Sequence, residues 1–596
     1  MSVKHSMRQE RLAAETLLHD EVGVYPSKGE RYALSLTRTA LHIQRLMPKP
    51  EGEDQRTVVA LRDVAGCHAP RGCITSDTHA AYFSIYAYPR KKRKVAVGSS
   101  RTRQRLVRTF QVDGEADYAQ NRAVAEKWAV AIKCLLLGIP VGSETEISPG
   151  LLPRPRRLLL LVNPQGGRGL ALQHTHAHIL PMISDADISF NLVQTERQNH
   201  ARELVQDLSL DEWDGIVVIS GDGLLYEVIN GLMERPDWKE AIQKPVGILP
   251  CGSGNALAGA INFSGGFEQA LTVELLLNCT LLLCHGAVEP MDLVSVTTCS
   301  GTRSFSFLSV AWGFISDVDL ESEKYRHMGS ARFTLGTAVR LASLRTYRGR
   351  LSYLPATDGH RPISRSITLA ANGSLANIRQ HAPLHRTISD MGLCEERNVV
   401  TKRNSPTSVT DTGELPSFEA SPSPAFLDSD SFTFDTAPGA PPSATHSAEF
   451  TNTRQMYGPL DNLLVPLDEP VPQDWVTLEG DFVLVLAIYQ THLGADLFMA
   501  PFASFGEGLI HLFFVKAGIS RAAMVRLFLA MERGSHFEYP HFTHMPVRAF
   551  RLEPLTHKGV MTVDGERVEY GPIQGQIHRR LCNLITGTPK VKMSTI

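Results

Sequence analysis

Apolar and polar positions along the chain follow three successive rhythms. From about Arg31 to Gly138, short alternating stretches such as "YALSLTRTALHIQRL" and "AAYFSIYAYP" predict half-buried strands. "DYAQNRAVAEKWAVAIKCLLLG" then repeats its apolar residues at helical spacing and predicts one closing amphipathic helix. From Arg156 the rhythm becomes continuous apolar runs that stop at polar or glycine-rich turns and restart as helices. "RLLLLVNP", "DISFNLVQTE", "GIVVIS" and "PVGILP" read as strands of a parallel sheet covered by helices, which takes its ligands at the carboxyl ends of the strands. Past Gly286 strand patterns return, as in "GAVEPMDLVSVTT" and "RSFSFLSVAWGF", and resume after a long break at "GDFVLVLAIYQTHLGADLFMAP". The break, from about Ala376 to Pro472, is rich in Ser, Thr, Pro and Asp. Such a composition buries too little apolar surface to offset the entropy of ordering it.

These rhythms predict a flexible N-terminus over 1–30 and a small β-rich module over 31–140. An α/β catalytic domain, a parallel sheet with helices, follows over 154–285. An antiparallel β-sandwich domain is expected over 286–375 and 473–590, split by a disordered Pro/Ser-rich insertion over 376–472. Strands followed by a C-terminal helix make the first module resemble a pleckstrin-homology-like domain.

Composition narrows the function. The 596 residues carry 60 Lys plus Arg against 62 Asp plus Glu, so no global field draws in nucleic acid, and direct nucleic-acid binding is not expected. Nine cysteines form no metal set and, with no secretory leader, point to a reducing compartment. Ser2 stands where myristoylation needs glycine. "VELLLNCTLLLC" falls short of the roughly 20 residues that span a bilayer, so a soluble or peripheral protein is expected.

The candidate chemistry sits at the strand ends. "VVISGDGLLYEVINGL" places a lone carboxylate, Asp222, between two glycines after a buried strand, where another molecule can approach closely. "NPQGGRG" exposes backbone N–H groups at a helix start, suited to phosphate oxygens. "TERQNHA" brings hydroxyl, carboxylate and amide groups suited to a nucleoside, and "PCGSGNALA" adds a further polar turn. Each alone reads more readily as an ordinary strand-helix turn, and "NPQGGRG" has neither P-loop nor dinucleotide spacing. Together they line one edge.

The order "NPQGG", "SGDG", "LPCGSGN" resembles the catalytic domain of diacylglycerol-kinase-like lipid kinases. "FSFLSVAWGFISDVDLESEKYRHMGSARFTLGTAVRL" and "VDGERVEYGPIQGQIH" resemble sphingosine kinases in particular, and the long N-terminal module and the insertion resemble their larger, type 2 form. The resemblance implies an ATP-dependent kinase that phosphorylates the primary hydroxyl of sphingosine and dihydrosphingosine to give sphingosine 1-phosphate. Asp222 is then the general base. Asn163, Pro164 and Gln165, then Thr195, Glu196, Arg197, Gln198 and Asn199, surround ATP with Ser220, Glu227, Gly252, Ser253 and Gly254. Arg326 and Arg332 counter its phosphate charge, and Asp564, Gly565 and Glu566 complete the nucleotide site. Gln165 departs from the type 1 arginine, which removes a fixed charge there. Magnesium is implied with ATP, without a named protein ligand.

For the lipid, the same resemblance implies that Asp319 binds the sphingoid ammonium, with Ser309 on the same path. Ile315, Phe333, Phe513, Phe528 and His536 line the acyl tunnel, or equally serve as β-domain core. Ceramide kinase, diacylglycerol kinase, a soluble NAD kinase and a silent lipid-binding nuclear scaffold are the alternatives. Asp319 favours a free ammonium over an amide or ester.

"RFTLGTAVRLASLRTYRGR" combines Leu335, Val339 and Leu341 with Arg332, Arg340, Arg345, Arg348 and Arg350. It reads as a peripheral membrane contact or as a helix packed on the β domain with snorkelling arginines. "PRKKRKV", Pro89 to Val95, reads as a nuclear-import signal, a phosphoinositide patch or a basic hairpin tip. "LHRTISDMGL", Leu384 to Leu393, holds Ser389 three residues after Arg386 and suits a phosphorylation-regulated export element or an inert linker. A cytoplasmic, membrane-visiting protein with a nuclear pool is the expectation.

Overall fold

The computed structural model describes residues 15–26, 29–46, 56–70, 79–94, 99–142, 145–322, 324–325, 331–356 and 455–587, with side chains outside 92–101 and 331–334. Alternation in the N-terminal third becomes β1 (Leu18–Tyr25), β2 (Arg31–Leu36), β3 (Ala40–Arg45), β4 (Arg56–Ala60), β5 (Val64–His68) and β6 (Ala81–Ala87). A separate basic hairpin follows, β7 (Arg90–Lys94) with β8 (Ser99–Arg103), and then β9 (Leu106–Val112). The main sheet is antiparallel and seven-stranded, in the order β4-β3-β2-β1-β9-β6-β5. The predicted closing helix is α1 (Tyr118–Leu136), capped by Asp117, which accepts from Gln120 N at 3.3 Å. Its Trp128 stacks on Phe83 with ring centres 5.7 Å apart and donates Nε1–H to Asp20 at 2.7 Å. That bond corrects the expectation of a flexible 1–30: β1 buries Leu18 and Val22 and supplies the partner of a core tryptophan.

The second rhythm folds as read. β10 (Arg157–Val162), β11 (Ser189–Gln194), α2 (His200–Asp207), β12 (Gly215–Ser220), α3 (Asp222–Met233), β13 (Val246–Pro250), α4 (Ala256–Ser264) and α5 (Thr272–His285) follow in turn. The strands are parallel in the order β11-β10-β12-β13. Every residue of β12 is buried, which is why it reads as an unbroken apolar run. The run Val273 to Cys284 is the body of α5, buried from Leu275 to Cys284. Among the described residues no helix is long and apolar enough to cross a membrane.

The C-terminal part comprises β14 (Val288–Thr297), β15 (Arg303–Ser306), β16 (Ser309–Gly313), α6 (Phe314–Ser322), α7 (Ala331–Ala342) and β17 (Tyr347–Pro355). After the insertion come β18 (Val476–Ile488), β19 (His492–Gly494), β20 (Leu497–Phe498), β21 (Ile510–Lys516) and α8 (Arg521–Met531). β22 (Phe542–Pro554), β23 (Met561–Val563), β24 (Glu566–Val568) and β25 (Ile573–Ile585) complete it. These strands pair antiparallel, but they do not stand apart from the parallel sheet. β25 runs parallel to β13 at Val246 opposite Leu584 and antiparallel to β14 and β22, so one sheet of 14 strands crosses both halves. β18 feeds two cores: Phe482, Val485 and Ala487 face one, Val483, Leu486 and Ile488 the other.

Composition extends the insertion to 472, yet residues 455–472 are seated on the β domain. Asp461 accepts from Ser295 Oγ at 2.5 Å, Arg303 Nε at 3.0 Å and His578 Nε2 at 2.9 Å. Arg551 donates to the carbonyls of Val465 and Glu469 at 2.7 and 2.6 Å, and Leu463, Leu464 and Val471 pack beside Trp475. Polar anchors replace the apolar mass that the composition lacks. Residues 376–454, with Leu384 to Leu393, lie outside the described residues.

Two buried histidines make stability depend on pH. Burial holds His492 and His536 down at about 4, against 6.5 in solvent. Between those values each binds fewer protons folded than unfolded. Its contribution is therefore complete above pH 6.5 and lost as pH falls toward 4, about 3 kcal/mol at most per histidine. The melting temperature should fall steeply below about pH 6.5, and His492→Gln should flatten that fall; an unchanged slope would exclude His492 as a source.

Candidate functional site

Three turns from successive strand ends meet at one edge. After β10, Asn163 Oδ1 accepts from Gln165 N at 3.0 Å, and Gly167, at φ +58°, turns the chain past the Cys251 carbonyl. A Cβ on Gly167 would lie 2.6 Å from that oxygen. The turns after β12 and β13 touch backbone to backbone: a Cβ on Gly252 would lie 2.3 Å from Gly221 Cα. Only glycine permits that contact. Asn255, in the left-handed region at φ 53°, brackets Gly252 by accepting from its N at 3.1 Å and donating to its O at 2.7 Å.

Asp222 opens α3, and its carboxylate points at the start of another helix. Oδ2 accepts from Ala256 N at 2.7 Å and Oδ1 from Leu257 N at 3.1 Å, the first two amides of α4. Burial raises the Asp222 pKa and those amides pull it back, leaving it above the usual carboxylate range. The result is a desolvated carboxylate in a fixed direction, a better proton acceptor than one in water.

Glu227, one turn further along α3, repeats the device. Amides of Asn199, Ala201 and Arg202 at the start of α2 hold its pKa down, while burial and the charge of Glu566 leave it raised. Its Oε2 is buried without a hydrogen-bond partner in the protein. Glu566 reaches the same corner: a Cβ on Gly223 would lie 2.7 Å from its Oε1. Among the described residues no three His, Cys, Asp or Glu side chains gather closely enough to hold a metal ion by themselves.

The turn between β23 and β24 connects this corner to Asp319. Asp564 is buried, and its two oxygens accept from Ser306 Oγ at 2.6 Å, Phe307 N at 3.0 Å, Leu308 N at 3.0 Å and Ser309 N at 2.8 Å. Burial pushes it up to about 6 despite those donors. It shapes the turn before β16, and Glu566 rather than Asp564 faces the glycines. Half-buried Asp319 lies on the other side, its Oδ2 3.5 Å from where a Gly565 Cβ would stand.

Residues 157–296 match the diacylglycerol kinase catalytic domain, and residues 467–586 match the YegS C-terminal NAD kinase beta sandwich-like domain. Human sphingosine kinase 2 is 54% identical over 97% of this chain and 92% of its own length. The chain belongs to the sphingosine kinase family. Human sphingosine kinase 1 is 46% identical over 74% of this chain and 93% of its own length. The fuller coverage by the type 2 enzyme agrees with the architecture read from the sequence. Sphingosine kinase 1 of Arabidopsis thaliana is 29% identical over 70% of this chain and 70% of its own length. These identities do not favour the ceramide-kinase, diacylglycerol-kinase or scaffold readings.

Other predicted residues of this sphingosine kinase fall into place unevenly. Thr195 is buried with its hydroxyl 3.4 Å from the Val162 carbonyl, and Arg197 pairs with Glu203. Glu196 and Gln198 are exposed, and Asn199, at φ 64°, starts α2. Pro164, Ser253 and Gly254 lie within the turns, and buried Ser220 ends β12. Arg326 lies outside the described residues, as do the side chains of Arg332 and Phe333. Ile315, Phe513 and Phe528 share one apolar cluster under α6 and α8, where Phe528 meets Phe314 at 5.0 Å. His536 borders it, fully buried, donating Nε2–H to the Met499 carbonyl at 2.8 Å.

The arginine-rich stretch is not one helix but a helix followed by a strand. α7 ends at Ala342, buried Arg340 pairs with Glu321, and Leu341 packs inward, while Arg348 and Arg350 belong to β17 and face Glu479. Leu335 and Val339 do remain exposed, on a helix that touches α8, whose Val525 and Leu529 are exposed as well.

Proposed function

We propose that the chain catalyses transfer of the γ-phosphoryl group of ATP to the primary hydroxyl of a sphingoid base, giving sphingosine 1-phosphate and ADP. Asp222 takes the hydroxyl proton as that oxygen attacks the γ-phosphorus and the bond to the β-phosphate oxygen breaks. The three glycine turns bind the nucleotide, and Asp319 pairs with the ammonium. The carrying observation is that one turn, Asp564 to Glu566, touches both sides: Glu566 beside Gly223, and Gly565 beside Asp319. This supports a reading in which head-group anchor and base work at one place, and phosphoryl transfer asks chiefly for such positioning.

Magnesium accompanying ATP would neutralise phosphate charge there, with the unpartnered Glu227 Oε2 the protein oxygen open to it and phosphate and water oxygens completing its shell. The apolar cluster around Phe513 and Phe528 takes the alkyl chain. With labelled ATP, sphingosine and dihydrosphingosine should be phosphorylated at least about 10-fold faster than ceramide or diacylglycerol; equal labelling of ceramide would reject the assignment.

The same reading gives the enzyme a peripheral membrane contact. Leu335 and Val339 on α7, with Val525 and Leu529 on α8, repeat at helical spacing and are 37%, 48%, 37% and 38% exposed. Replacing Leu335 and Val339 by Glu should weaken binding to liposomes roughly 10-fold while sparing activity on detergent-dispersed sphingosine. Unchanged liposome affinity would remove this surface. For localisation, the reading is a cytoplasmic enzyme whose basic run Pro89 to Val95 serves nuclear import; imaging with Lys91 to Lys94 replaced by alanine checks it, and unaltered distribution rejects it.

A further inference from the structure

Three buried polar side chains form an unbroken line from the N-terminal module to α4. Arg103, at the end of β8, donates from Nε to Asn278 Oδ1 on α5 at 2.6 Å. Asn278 donates from Nδ2 to Asn262 Oδ1 on α4 at 2.8 Å. Asn262 in turn donates to the Glu268 carbonyl at 2.9 Å. The three residues are 4%, 0% and 2% exposed. The guanidinium also lies over Phe267, 4.7 Å from the ring centre, in the link between α4 and α5. On its own side it donates to Asp63 Oδ1 at 2.7 Å and to the Tyr88 carbonyl at 2.8 Å.

Docking alone does not require this line. The module already grips the catalytic domain elsewhere, where the Asp185 carboxylate accepts from Arg105 at 2.7 and 2.8 Å and from the Tyr88 hydroxyl at 2.6 Å. Apolar side chains would hold α4 against α5 with less desolvation than a buried guanidinium and two amides. A polar line in which Arg103 Nε, Asn278 Nδ2 and Asn262 Nδ2 each meet one acceptor sets a single register instead, even with Arg103 Nη2 left buried and without a partner. The register matters because α4 is the helix whose first two amides hold both oxygens of Asp222.

We propose that the N-terminal module positions the catalytic base through Arg103, Asn278 and Asn262, which hold α4 where Ala256 and Leu257 meet Asp222. The proposal rests on Asp222 being that base. Arg103 acts here as a positioning residue, remote from substrate.

The test uses the full chain, with kcat expressed per ATP-binding site counted by titration. Arg103→Met should lower kcat roughly 5- to 30-fold with both KM values within about 2-fold of wild type. Arg103→Lys, which keeps one donor, should recover part of the loss. Asn262→Leu should lose as much as Arg103→Met, and the double variant no more than either. Arg105→Met, which breaks the Asp185 contact and does not reach α4, should lower the melting temperature and leave kcat unchanged. Wild-type kcat in Arg103→Met, equal kcat losses in Arg103→Met and Arg105→Met, or losses that multiply in the double variant would each overturn the relay. Asp222→Asn is run in parallel. If it stays active, the base assignment fails and the proposal with it; if it is inactive while Arg103→Met matches wild type, the relay alone fails.

Discussion

Asp222→Asn should keep its fold and bind ATP with near-normal affinity while turning over roughly 10²-fold slower or worse. The substitution preserves shape but removes a buried carboxylate whose two oxygens are aimed by the first two amides of α4, at 2.7 and 3.1 Å. An amide cannot take a hydroxyl proton at neutral pH, so the attacking oxygen must lose its proton to water. One α4 amide would face the new NH₂ group, so a small drop in melting temperature is expected as well. Calorimetric ATP binding and single-turnover phosphorylation of sphingosine separate these effects. Turnover within a few-fold of wild type would strip Asp222 of the base role.

Asp319→Asn should act on the lipid rather than the nucleotide. Removing the charge opposite an ammonium in a half-buried site forfeits about 1.5–3 kcal/mol, or roughly 10- to 100-fold in kcat/KM for sphingosine. KM for ATP should not move. N-acetylation of the substrate removes its charge, so the variant's deficit should shrink for the acetylated compound. An equal deficit for both compounds would mean that Asp319 shapes the pocket and does not pair with the ammonium.

Much of this fold was legible because burial leaves a mark on residue type. β10, β12 and β13 are buried almost throughout and read as continuous apolar runs, while β2 and β3 alternate, burying Leu34 and Leu36, then Leu41 and Ile43. Asp222 was legible as a carboxylate between glycines. Its partners were not: Ala256 and Leu257 act through backbone N–H groups that any residue would supply, 34 and 35 positions away. Asn255 was missed for a related reason, although an Asn before an apolar helical run is a recognisable start signal. Glu566 was named with Asp564, and only tertiary approach distinguishes the carboxylate beside Gly223 from the one bound by the 306–309 turn. Residues 455–472 escaped because Arg303, Arg551 and His578 anchor them through polar bonds, which a count of apolar residues cannot register. The arginine-rich stretch was half legible, since helical spacing marks the exposed Leu335 and Val339 but not the inward turn of Arg340.

The strand that joins the two halves has a consequence for how the molecule is made. β13 completes its parallel sheet against Leu584, a residue synthesised more than 300 positions later. Until the ribosome has delivered β25, the nucleotide half carries an open sheet edge next to its glycine turns, and such edges invite pairing with other chains. The nascent enzyme thus cannot complete the sheet of its nucleotide half before β25 emerges. Separating the two halves genetically would leave each with a raw edge instead of a domain, and the insertion between β17 and β18 only lengthens the interval over which that edge must be kept apart from its neighbours.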